Sequence, residues 1–317
     1  MTVTSAILLV GGMGTRMQPL TFTTPKPMLP LLGRPITEHQ IMKAKEAGIT
    51  EIVLATSYLS DIFIPYFGNG EKFGIKISYA VEESALGTGG AIRNAASHLD
   101  GDGPVMIFNG DVLSKHSLRD QIAFHQSQNA DVTLYLTEVA DARAFGVVEM
   151  HGDLITTFNE KMETPPTNII NAGCYIFNRT VIDEIPAGRV VSVERETFPS
   201  LLARNARVAG FIDNSYWLDI GNPGALLKAT RDLIEASGHQ MGQGRGSTID
   251  PAAAVDEGSY VGAQATVGAG SELHQCIIGE GARIGENVRL TRTYVAAGTR
   301  IEPNTVGIDQ FFGFSAE

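Results

Sequence analysis

The sequence is 317 residues long, 43% hydrophobic and 19% charged, with a net charge of −11 at pH 7. This length accommodates one large domain and a smaller one, and the composition is typical of a soluble globular protein. The acidic balance excludes a nucleic-acid-binding surface, so an anionic substrate must be met by a local group of cations.

The cysteine content and the hydropathy pattern exclude two further classes of protein. Cys174 and Cys276 are too few and too far apart for a disulfide scaffold, so we expect buried free thiols. No apolar run in the sequence approaches the length of a membrane span. The first residues, MTVTSAILLV, lack the features of a signal peptide, so we expect a cytoplasmic protein with no membrane partner.

The first predicted element is an apolar strand, Ala6 to Val10, typical of strands buried on both faces of a parallel sheet. Glycines follow it directly: Gly11, Gly12 and Gly14. They bring backbone N–H groups against an anion, while Arg16 adds a planar fork and Lys26 a point charge. The segment predicts a polyphosphate site, but it is neither a Walker A loop nor a complete G-x-G-x-x-G fingerprint, and an ordinary strand-to-helix turn has the same glycines.

The longer string GGMGTRMQPLT, followed by PKPMLP, resembles the signature of the sugar-1-phosphate nucleotidylyltransferases. The residues of this string are most similar to those of the mannose-1-phosphate guanylyltransferases, although Met13 stands where many relatives carry Lys or another polar residue. The resemblance implies a Rossmann-like α/β nucleotidyltransferase domain with a mixed, mostly parallel sheet, and catalytic roles for Arg16 and Lys26. The nucleotide-binding residues that it implies here are Leu9, Gly11, Gly12, Gly14, Thr15 and Arg16.

The next stretch alternates helices and strands, which predicts a parallel α/β sheet. A helix over 36–47 fits Pro35 at its start and Gly48 at its end, and a strand follows over Glu51 to Ala55. Further on, Leu86 to Gly90 leads into a helix with an apolar face. Glycines at a helix start explain this segment on their own, whereas the resemblance implies contacts with the nucleotide base. The residues implied are Glu82, Gly87 and Thr88.

Two aspartates are candidates for a metal site. Asp111 lies just past an apolar strand that begins at Val105, at the edge of the sheet where ligands bind. Carboxylates suit Mg²⁺, which shares its coordination with substrate phosphates, and the alternative is a turn Asp that caps the next helix. The resemblance supports the metal role of Asp111 and adds Asp219 as the second carboxylate.

The middle of the chain carries residues that the resemblance assigns to the sugar phosphate. The segment VTLYLT at 132–137 alternates as a strand, and FGVVE continues as another, in which a glycine permits close approach of a ligand. The assigned residues are Gly146, Glu160, Lys161, Asn171 and Gly173. A carboxylate accepts from sugar hydroxyls, a lysine pairs with phosphate, and an asparagine offers a donor and an acceptor. Taken alone, each is an ordinary surface charge or turn residue.

The C-terminal part follows a different period. An amphipathic helix over 223–236 closes the predicted catalytic domain, residues 1–236, and a glycine-rich linker spans 237–248. Apolar residues then recur every six positions over 249–306, with two slips of one residue. This repeat, with the resemblance, implies a short left-handed hexapeptide β-helix of about three coils. A tail, 307–317, follows it.

Open ends of so short a β-helix favour packing on the catalytic domain or on another subunit. We therefore expect a homo-oligomer, a dimer or higher.

The motifs together predict a nucleotidyltransferase that uses Mg²⁺, a nucleoside triphosphate with GTP favoured, and mannose 1-phosphate or a sugar-like cyclitol 1-phosphate. It would release pyrophosphate. A glucose-1-phosphate thymidylyltransferase is the near alternative. Two alternatives come from other classes: a non-catalytic regulatory subunit that binds nucleotide sugars, and a β-helix acyltransferase with His274 or His239 as base.

Overall fold

A computed structural model describes residues 2–57, 60–238, 241–256 and 258–315. The described chain forms two compact units. The first consists of Met1–Gly12 and Thr37–Trp217, and the second of Met13–Ile36 and Leu218–Glu317. The predicted phosphate-binding stretch is therefore divided after Gly12, which the sequence did not indicate. The predicted domain boundaries stay predictions.

Strands and helices are numbered along the chain. The strands up to Asp219 are β1 (Ser5–Leu9), β2 (Pro30–Leu31), β3 (Arg34–Pro35), β4 (Glu51–Thr56), β5 (Lys76–Val81), β6 (Val105–Asn109), β7 (Val112–Ser114), β8 (Val132–Glu138), β9 (Gly146–His151), β10 (Leu154–Glu160), β11 (Ile169–Phe177), β12 (Val208–Ile212) and β13 (Trp217–Asp219). Within the described residues, the first unit is built on a sheet of order β5-β4-β1-β6-β11-β8-β12-β10-β9.

One half of this sheet is parallel. Strand β1 pairs with both β4 and β6, so that Ser5 lies level with Glu51 and with Val105. Every residue of β4 is buried, as expected of a strand that is covered on both faces. Because parallel strands point the same way, their carboxyl ends meet at one edge of the sheet. That edge carries the residues that follow Leu9 and Asn109.

The other half of the sheet pairs mainly antiparallel. Strand β11 runs antiparallel to β6 and β8, and β10 antiparallel to β9 and β12, whereas β12 is parallel to β8. The short turn between β9 and β10 permits only antiparallel pairing. The sheet is mixed and mostly parallel in strand direction, as predicted: of the nine described strands, only β10 and β11 run against the other seven. The pairing of β11 with β8 shifts register between Asn171 and Tyr175.

The helices of the described residues are α1 (Ile36–Glu46), α2 (Ser60–Phe67), α3 (Gly87–Ala96), α4 (Leu118–Ser127), α5 (Arg179–Glu184), α6 (Phe198–Ala203) and α7 (Pro223–Ser237). The predictions of α1 and α7 are confirmed. Helix α7 begins where the Asn222 side chain accepts from the N–H of Ala225 at 2.9 Å, and it ends at Gly238 in the left-handed conformation. None of the helices in the described ranges is both long enough and apolar enough to cross a membrane.

The C-terminal strands form a β-helix within the second unit. They are β14 (Gly242–Gln243), β15 (Thr248–Ile249), β16 (Ala254–Val255), β17 (Tyr260–Val261), β18 (Thr266–Val267), β19 (Glu272–His274), β20 (Ile277–Ile278), β21 (Arg283–Ile284), β22 (Arg289–Thr291), β23 (Tyr294–Val295), β24 (Arg300–Ile301), β25 (Val306–Ile308) and β26 (Phe311–Phe312). In the described part of the chain they stack as three parallel sheets, which confirms the hexapeptide β-helix. The stack extends beyond 249–306 at both ends, because Gly242 pairs with Tyr260 and Phe311 with Tyr294.

The slips in the repeat reflect a change in coil length. Thr248 pairs with Thr266, eighteen residues later, whereas Thr266 pairs with Arg283 and Arg283 with Arg300, each seventeen residues later. The later coils have one residue fewer than the first coil. The residue is missing at the corner between β19 and β20 and at the equivalent corners, between β22 and β23 and between β25 and β26. Residues with positive φ angles occupy these corners: Gln275, Arg292 and Asp309. The left-handed conformation lets the chain turn there with fewer residues.

One outer face of the β-helix is covered within the second unit. Tyr260, Ile277 and Tyr294 stand in register on this face and are buried. The Tyr294 hydroxyl donates to the carbonyl oxygen of Pro223, at the start of α7. The hairpin of β2 and β3 also reaches this face, because a Cβ on Gly33 would lie 2.3 Å from Tyr260 Oη.

We expect the Gly33→Ala variant to destabilise the protein more than Gly246→Ala. Both glycines have positive φ angles, +77° and +72°, so each substitution carries a backbone cost of about 1–2 kcal/mol. At Gly33 the new methyl group must also displace Tyr260, which adds about 1–3 kcal/mol, whereas the nearest atom at Gly246 is 3.8 Å away. Urea unfolding of the two variants measures the difference. Equal midpoints would mean that the hairpin does not pack on Tyr260.

Candidate active site

The carboxyl end of β1 opens into the first glycines of the predicted phosphate loop. The N–H of Val10 donates to the carbonyl oxygen of Ala55 at 3.0 Å, and the carbonyl oxygen of Gly11 accepts from Ser57 Oγ at 2.8 Å. A Cβ on Gly12 would meet nothing within 4 Å. The backbone is therefore fixed up to Gly11, and at Gly12 it borders open space from which a ligand can approach.

The turn that carries Asp111 lies against this same edge. The N–H of Gly110 donates to the carbonyl oxygen of Leu9 at 3.0 Å, and a Cβ on Gly110 would lie 2.4 Å from that oxygen. Only glycine permits so close an approach. From α1, Gln40 Nε2 donates to the carbonyl oxygens of Asn109 and Val112 at 2.8 and 2.9 Å. The backbone on both sides of Asp111 is thus held against the end of β1.

The remainder of the phosphate stretch belongs to the second unit. Gly14 has a φ of +60°, its carbonyl oxygen accepts from Thr21 Oγ1 at 2.9 Å, and a Cβ there would lie 2.9 Å from the Cβ of Lys26. Glycine at this position therefore lets the Lys26 segment approach. Arg16 is exposed on a 3₁₀ turn, Thr15–Met17, whereas Lys26 is buried.

Asp219 lies beside Lys26 in the second unit. The Lys26 Nζ and Asp219 Oδ1 are 4.0 Å apart, and the Asp219 side chain is 29% exposed. A Cβ on Gly221 would lie 3.2 Å from Asp219 Oδ2, so a small residue leaves the carboxylate room. A predicted catalytic cation and a predicted metal ligand are therefore neighbours.

Asp111 and Asp219 are the two carboxylates predicted to bind a metal ion. Asp111 belongs to the first unit and Asp219 to the second. Within the described ranges, no group of three or more His, Cys, Asp or Glu residues is placed to share a metal ion. Each aspartate by itself offers the kind of oxygen donor that Mg²⁺ prefers, because this ion takes one or two protein carboxylates and completes its shell with water and substrate phosphate oxygens.

The predicted base-binding residues lie in the loop between β5 and α3 and in the first turn of α3. Glu82 Oε2 accepts from the N–H of Leu86 at 3.1 Å, and burial raises the pKa of the Glu82 carboxyl. Gly87 adopts a φ of +69°. The Thr88 hydroxyl donates to Glu194 Oε2 at 2.8 Å. The Glu82 and Thr88 side chains thus make contacts that fix this loop.

The first group of predicted sugar-phosphate residues is assembled by the pairing of β9 and β10. Gly146 lies opposite Glu160, and a Cβ on Gly146 would lie 2.9 Å from Glu160 Oε2. Glycine therefore leaves the space that this carboxylate occupies. Lys161 Nζ is 3.8 Å from Glu160 Oε1 and is well exposed. The pKa of Glu160 is raised by burial first and by the nearby Glu194 carboxylate second.

The second group lies at the register shift of β11. Asn171 Oδ1 accepts from the N–H of Gly173 at 3.2 Å, and Asn171 Nδ2 donates to the Tyr175 hydroxyl oxygen at 2.9 Å. A Cβ on Gly173 would lie 2.9 Å from Asn109 Nδ2. Burial raises the pKa of Tyr175, which also hydrogen-bonds to Asn109. Side chains therefore link the Asp111 turn to the sugar-phosphate strand.

Trp217 supports this strand from the side. Its indole Nε1 donates to the carbonyl oxygen of Ala172 at 3.0 Å, and its ring meets Phe145 edge-on with centroids 5.4 Å apart. The indole therefore forms a wall that fixes the backbone between Asn171 and Gly173, a structural role.

The predicted site residues thus fall into two groups. The first unit brings the Asp111 turn, the start of the phosphate loop, and Asn171 and Gly173 to one edge of its sheet, while the second unit holds Gly14, Lys26 and Asp219 together. The sequence did not identify Asn109, Tyr175 or Glu194. No periodic signal marks them, because their partners lie far away along the chain.

The histidines considered for acyl transfer give that alternative no support. His274 Nδ1 pairs with Asp256 Oδ2 at a corner of the β-helix, where Asp256 also accepts from Ser259 Oγ and the N–H of Gln275. This is the pattern of a structural turn. His239 lies outside the described residues.

Comparisons with known proteins show the family to which this chain is related. The family model described as nucleotidyl transferase matches residues 5–236. A mannose-1-phosphate guanylyltransferase of Mycobacterium tuberculosis is 45% identical over 290 residues, which cover 88% of this chain and 80% of that protein. Mannose-1-phosphate guanylyltransferase 1 of Arabidopsis thaliana is 33% identical, covering 94% and 82%.

A solved structure extends the likeness to the fold. HddC from Yersinia pseudotuberculosis, solved in complex with GMP-PN, superposes with a TM-score of 0.62 at 27% identity, covering 74% of this chain and all of that one. The matched residues include both groups of the candidate site, from the glycines after β1 to Asp219. The chain belongs to the nucleotidyl transferase family.

Proposed function

We propose that the chain transfers the guanylyl group of GTP to mannose 1-phosphate and releases pyrophosphate. The observation that carries this proposal is the 45% identity with the mycobacterial mannose-1-phosphate guanylyltransferase over most of both chains. The GMP-PN bound to HddC supports a guanine nucleotide. The link between the Asp111 turn and the Asn171 strand supports a reaction in which both phosphorylated substrates meet at that edge.

The proposed reaction is an in-line displacement at phosphorus. A phosphate oxygen of mannose 1-phosphate attacks the α-phosphorus of GTP. The bond from the α-phosphorus to the oxygen that bridges to the β-phosphorus breaks, and its electron pair leaves with pyrophosphate. No protein nucleophile is needed, so catalysis depends on positioning and on the neutralisation of phosphate charge.

The phosphate-binding stretch supplies the groups for the nucleotide. Backbone N–H groups at Gly11 and Gly12 hold the triphosphate. Arg16, exposed on its 3₁₀ turn, stabilises the charge that builds on the departing pyrophosphate. Lys26, fixed beside Asp219, holds the region of the incoming phosphate.

The sugar phosphate is held by the residues of β9, β10 and β11. Lys161 is exposed and pairs with the phosphate, while Glu160 accepts from sugar hydroxyls. Asn171 is fixed by its hydrogen bonds to Gly173 and Tyr175, so its side chain has a fixed orientation toward the sugar ring.

We propose Mg²⁺ as the divalent cation, held by Asp111 and Asp219; when bound, it neutralises phosphate charge and orients the substrates.

The substrate assignment is tested by a grid of GTP, dTTP, UTP, ATP and CTP against mannose, glucose and cyclitol 1-phosphates, with Mg²⁺ and a pyrophosphate readout. We expect the highest kcat/KM for GTP with mannose 1-phosphate. A maximum at dTTP with glucose 1-phosphate would establish the thymidylyltransferase alternative, and one with the cyclitol would change the acceptor. Nucleotide-sugar binding without turnover anywhere would indicate a regulatory subunit.

The role of Arg16 is tested by Arg16→Ala and Arg16→Lys. We expect Arg16→Ala to lower kcat by about 10²–10³-fold, because removing one donor to a developing oxyanion typically costs that much. Arg16→Lys keeps the positive charge but lacks the planar guanidinium, so its kcat should lie between those of Arg16→Ala and the wild-type protein. Arg283→Ala, an exposed arginine on the β-helix, is the control. Near-normal turnover of Arg16→Ala would contradict the assignment.

We also propose that the chain assembles with further copies, as a dimer or higher. The last coil exposes Val306 and Ile308, which are 68% and 55% exposed. Apolar residues at the open end of a solenoid favour coverage by another chain. Sedimentation velocity should detect species larger than one chain, and a monomer at every concentration up to tens of micromolar would contradict assembly.

A further inference from the structure

The predicted nucleotide-binding loop, Leu86–Gly90, is held by a second segment of the first unit, Arg189–Glu194. The N–H of Gly89 donates to the carbonyl oxygen of Val191 at 2.8 Å, and the N–H of Val191 donates to the carbonyl oxygen of Leu86 at 2.9 Å. These bonds join residues about a hundred positions apart. The loop therefore takes its shape from a partner that lies outside its own motif.

The glycines of the loop are required by this packing. A Cβ on Gly87 would lie 2.6 Å from the carbonyl oxygen of Val191, and one on Gly89 would lie 2.9 Å from Val191 Cγ1. A Cβ on Gly90 would lie 2.8 Å from the carbonyl oxygen of Arg189. Any larger residue must push the two segments apart. Close contact between chain segments thus explains these glycines, whether or not they also touch a ligand.

Thr88 connects the two segments through its side chain. Its hydroxyl donates to Glu194 Oε2 at 2.8 Å, and its oxygen accepts from the N–H of Val193 at 2.9 Å. The hydroxyl proton and one lone pair are therefore committed inside the protein. A direct hydrogen bond from this hydroxyl to a nucleotide would have to break the bond to Glu194.

Glu194 is itself oriented by its surroundings. Its Oε2 also accepts from Ser192 Oγ at 2.9 Å. Glu194 lies in a π-helical turn, Val193–Thr197, whose start is fixed by Ser192 Oγ accepting from the N–H of Arg195 at 3.2 Å. Single π-helical turns are frequent at functional sites. The carboxylate is therefore held in one orientation, toward Thr88.

We propose that Glu194 is a positioning residue for nucleotide binding: through Thr88 it fixes the Leu86–Thr88 backbone in the conformation that receives the base. This inference rests on the proposed function, since it assigns Glu194 a part in holding the nucleotide of that reaction. In this proposal Glu194 makes no contact of its own with the nucleotide. It acts on the loop, and the loop acts on the base.

A second effect of Glu194 reaches the sugar-phosphate residues. Its negative charge contributes to the raised pKa of Glu160 and of Tyr175, after burial in both cases. The carboxylate that holds the nucleotide loop therefore lies close to the residues predicted to hold the acceptor. This position suits a group that fixes the nucleotide loop relative to the residues around Glu160 and Tyr175.

The hydrogen bonds are tested first, in the free protein, by hydrogen exchange. Thr88→Val removes the hydroxyl at nearly constant volume, and Glu194→Ala removes its acceptor. We expect both to raise exchange about tenfold at the amides of Gly89, Val191 and Val193, which corresponds to the loss of one ordinary hydrogen bond. Thr88→Ser and Glu194→Gln retain the bonding atoms and should restore protection.

A matched control comes from the same π-helical turn. Glu196 accepts from the N–H of Ser192 at 3.0 Å and from Arg189 Nη2 at 3.1 Å, but it makes no contact with Thr88 among the hydrogen bonds of the described residues. Glu196→Ala therefore disturbs the turn without removing the Thr88 bond. It should leave the exchange of Gly89 unchanged.

The consequence for function is tested by steady-state kinetics on the same variants. We expect Thr88→Val and Glu194→Ala to raise the KM for GTP about tenfold. Thr88→Val keeps the Glu194 charge near Glu160, so in this variant the KM for mannose 1-phosphate should change by less than about twofold. A merely structural loss would lower the active fraction and leave both KM values in place. The conservative variants should recover the KM for GTP.

The outcomes separate this inference from the proposed function. If wild-type protein turns over GTP but the variants keep their KM for GTP, or keep their exchange protection, the positioning role of Glu194 is overturned. If the wild-type protein neither turns over nor binds any nucleotide in the grid, the proposed function fails and the inference fails with it. Increased exchange together with a selective rise in the KM for GTP supports both.

Discussion

The parallel pairing of β1 with β4 and β6 is the constraint on which the candidate site depends. Burial on both faces fixes the register of β1, and parallel direction brings the ends of β1 and β6 to one edge of the sheet. The hydrogen bond from Gly110 to Leu9 then joins those two ends. The glycines predicted to bind phosphate and the Asp111 turn consequently start from the same edge of the sheet, although about a hundred residues separate them.

Some glycines of this protein mark close approach between chain segments, whereas others border open space. A Cβ at Gly110 or Gly173 would collide with atoms of the first unit, whereas Gly12 borders empty space. A motif that contains several glycines therefore combines two physical requirements. Sequence alone cannot separate them, because both select for the absence of a side chain.

The features that the sequence predicted are those set by local patterns. The strand over Ala6 to Val10, helices α1 and α7, and the hexapeptide repeat all follow from hydrophobic periods and end signals within short windows. The division of the phosphate stretch after Gly12, the Asn109–Tyr175–Asn171 connection and the Thr88–Glu194 bond could not be predicted. Each depends on which distant segments pack together, and that choice is made by the tertiary fold.

The charge distribution explains why this backbone geometry matters so much. The chain carries a net charge of −11, yet the proposed substrates are polyanions. Lys26 lies 4.0 Å from Asp219, and Lys161 lies 3.8 Å from Glu160. For a phosphate that is still far from the protein, the opposite charges of each pair nearly cancel. Long-range attraction of phosphate is therefore weak at these positions. In the proposed reaction, binding instead depends on short, directional contacts from backbone N–H groups, from Arg16 and from the two lysines. Those contacts require that the protein itself hold in place the loops which present them.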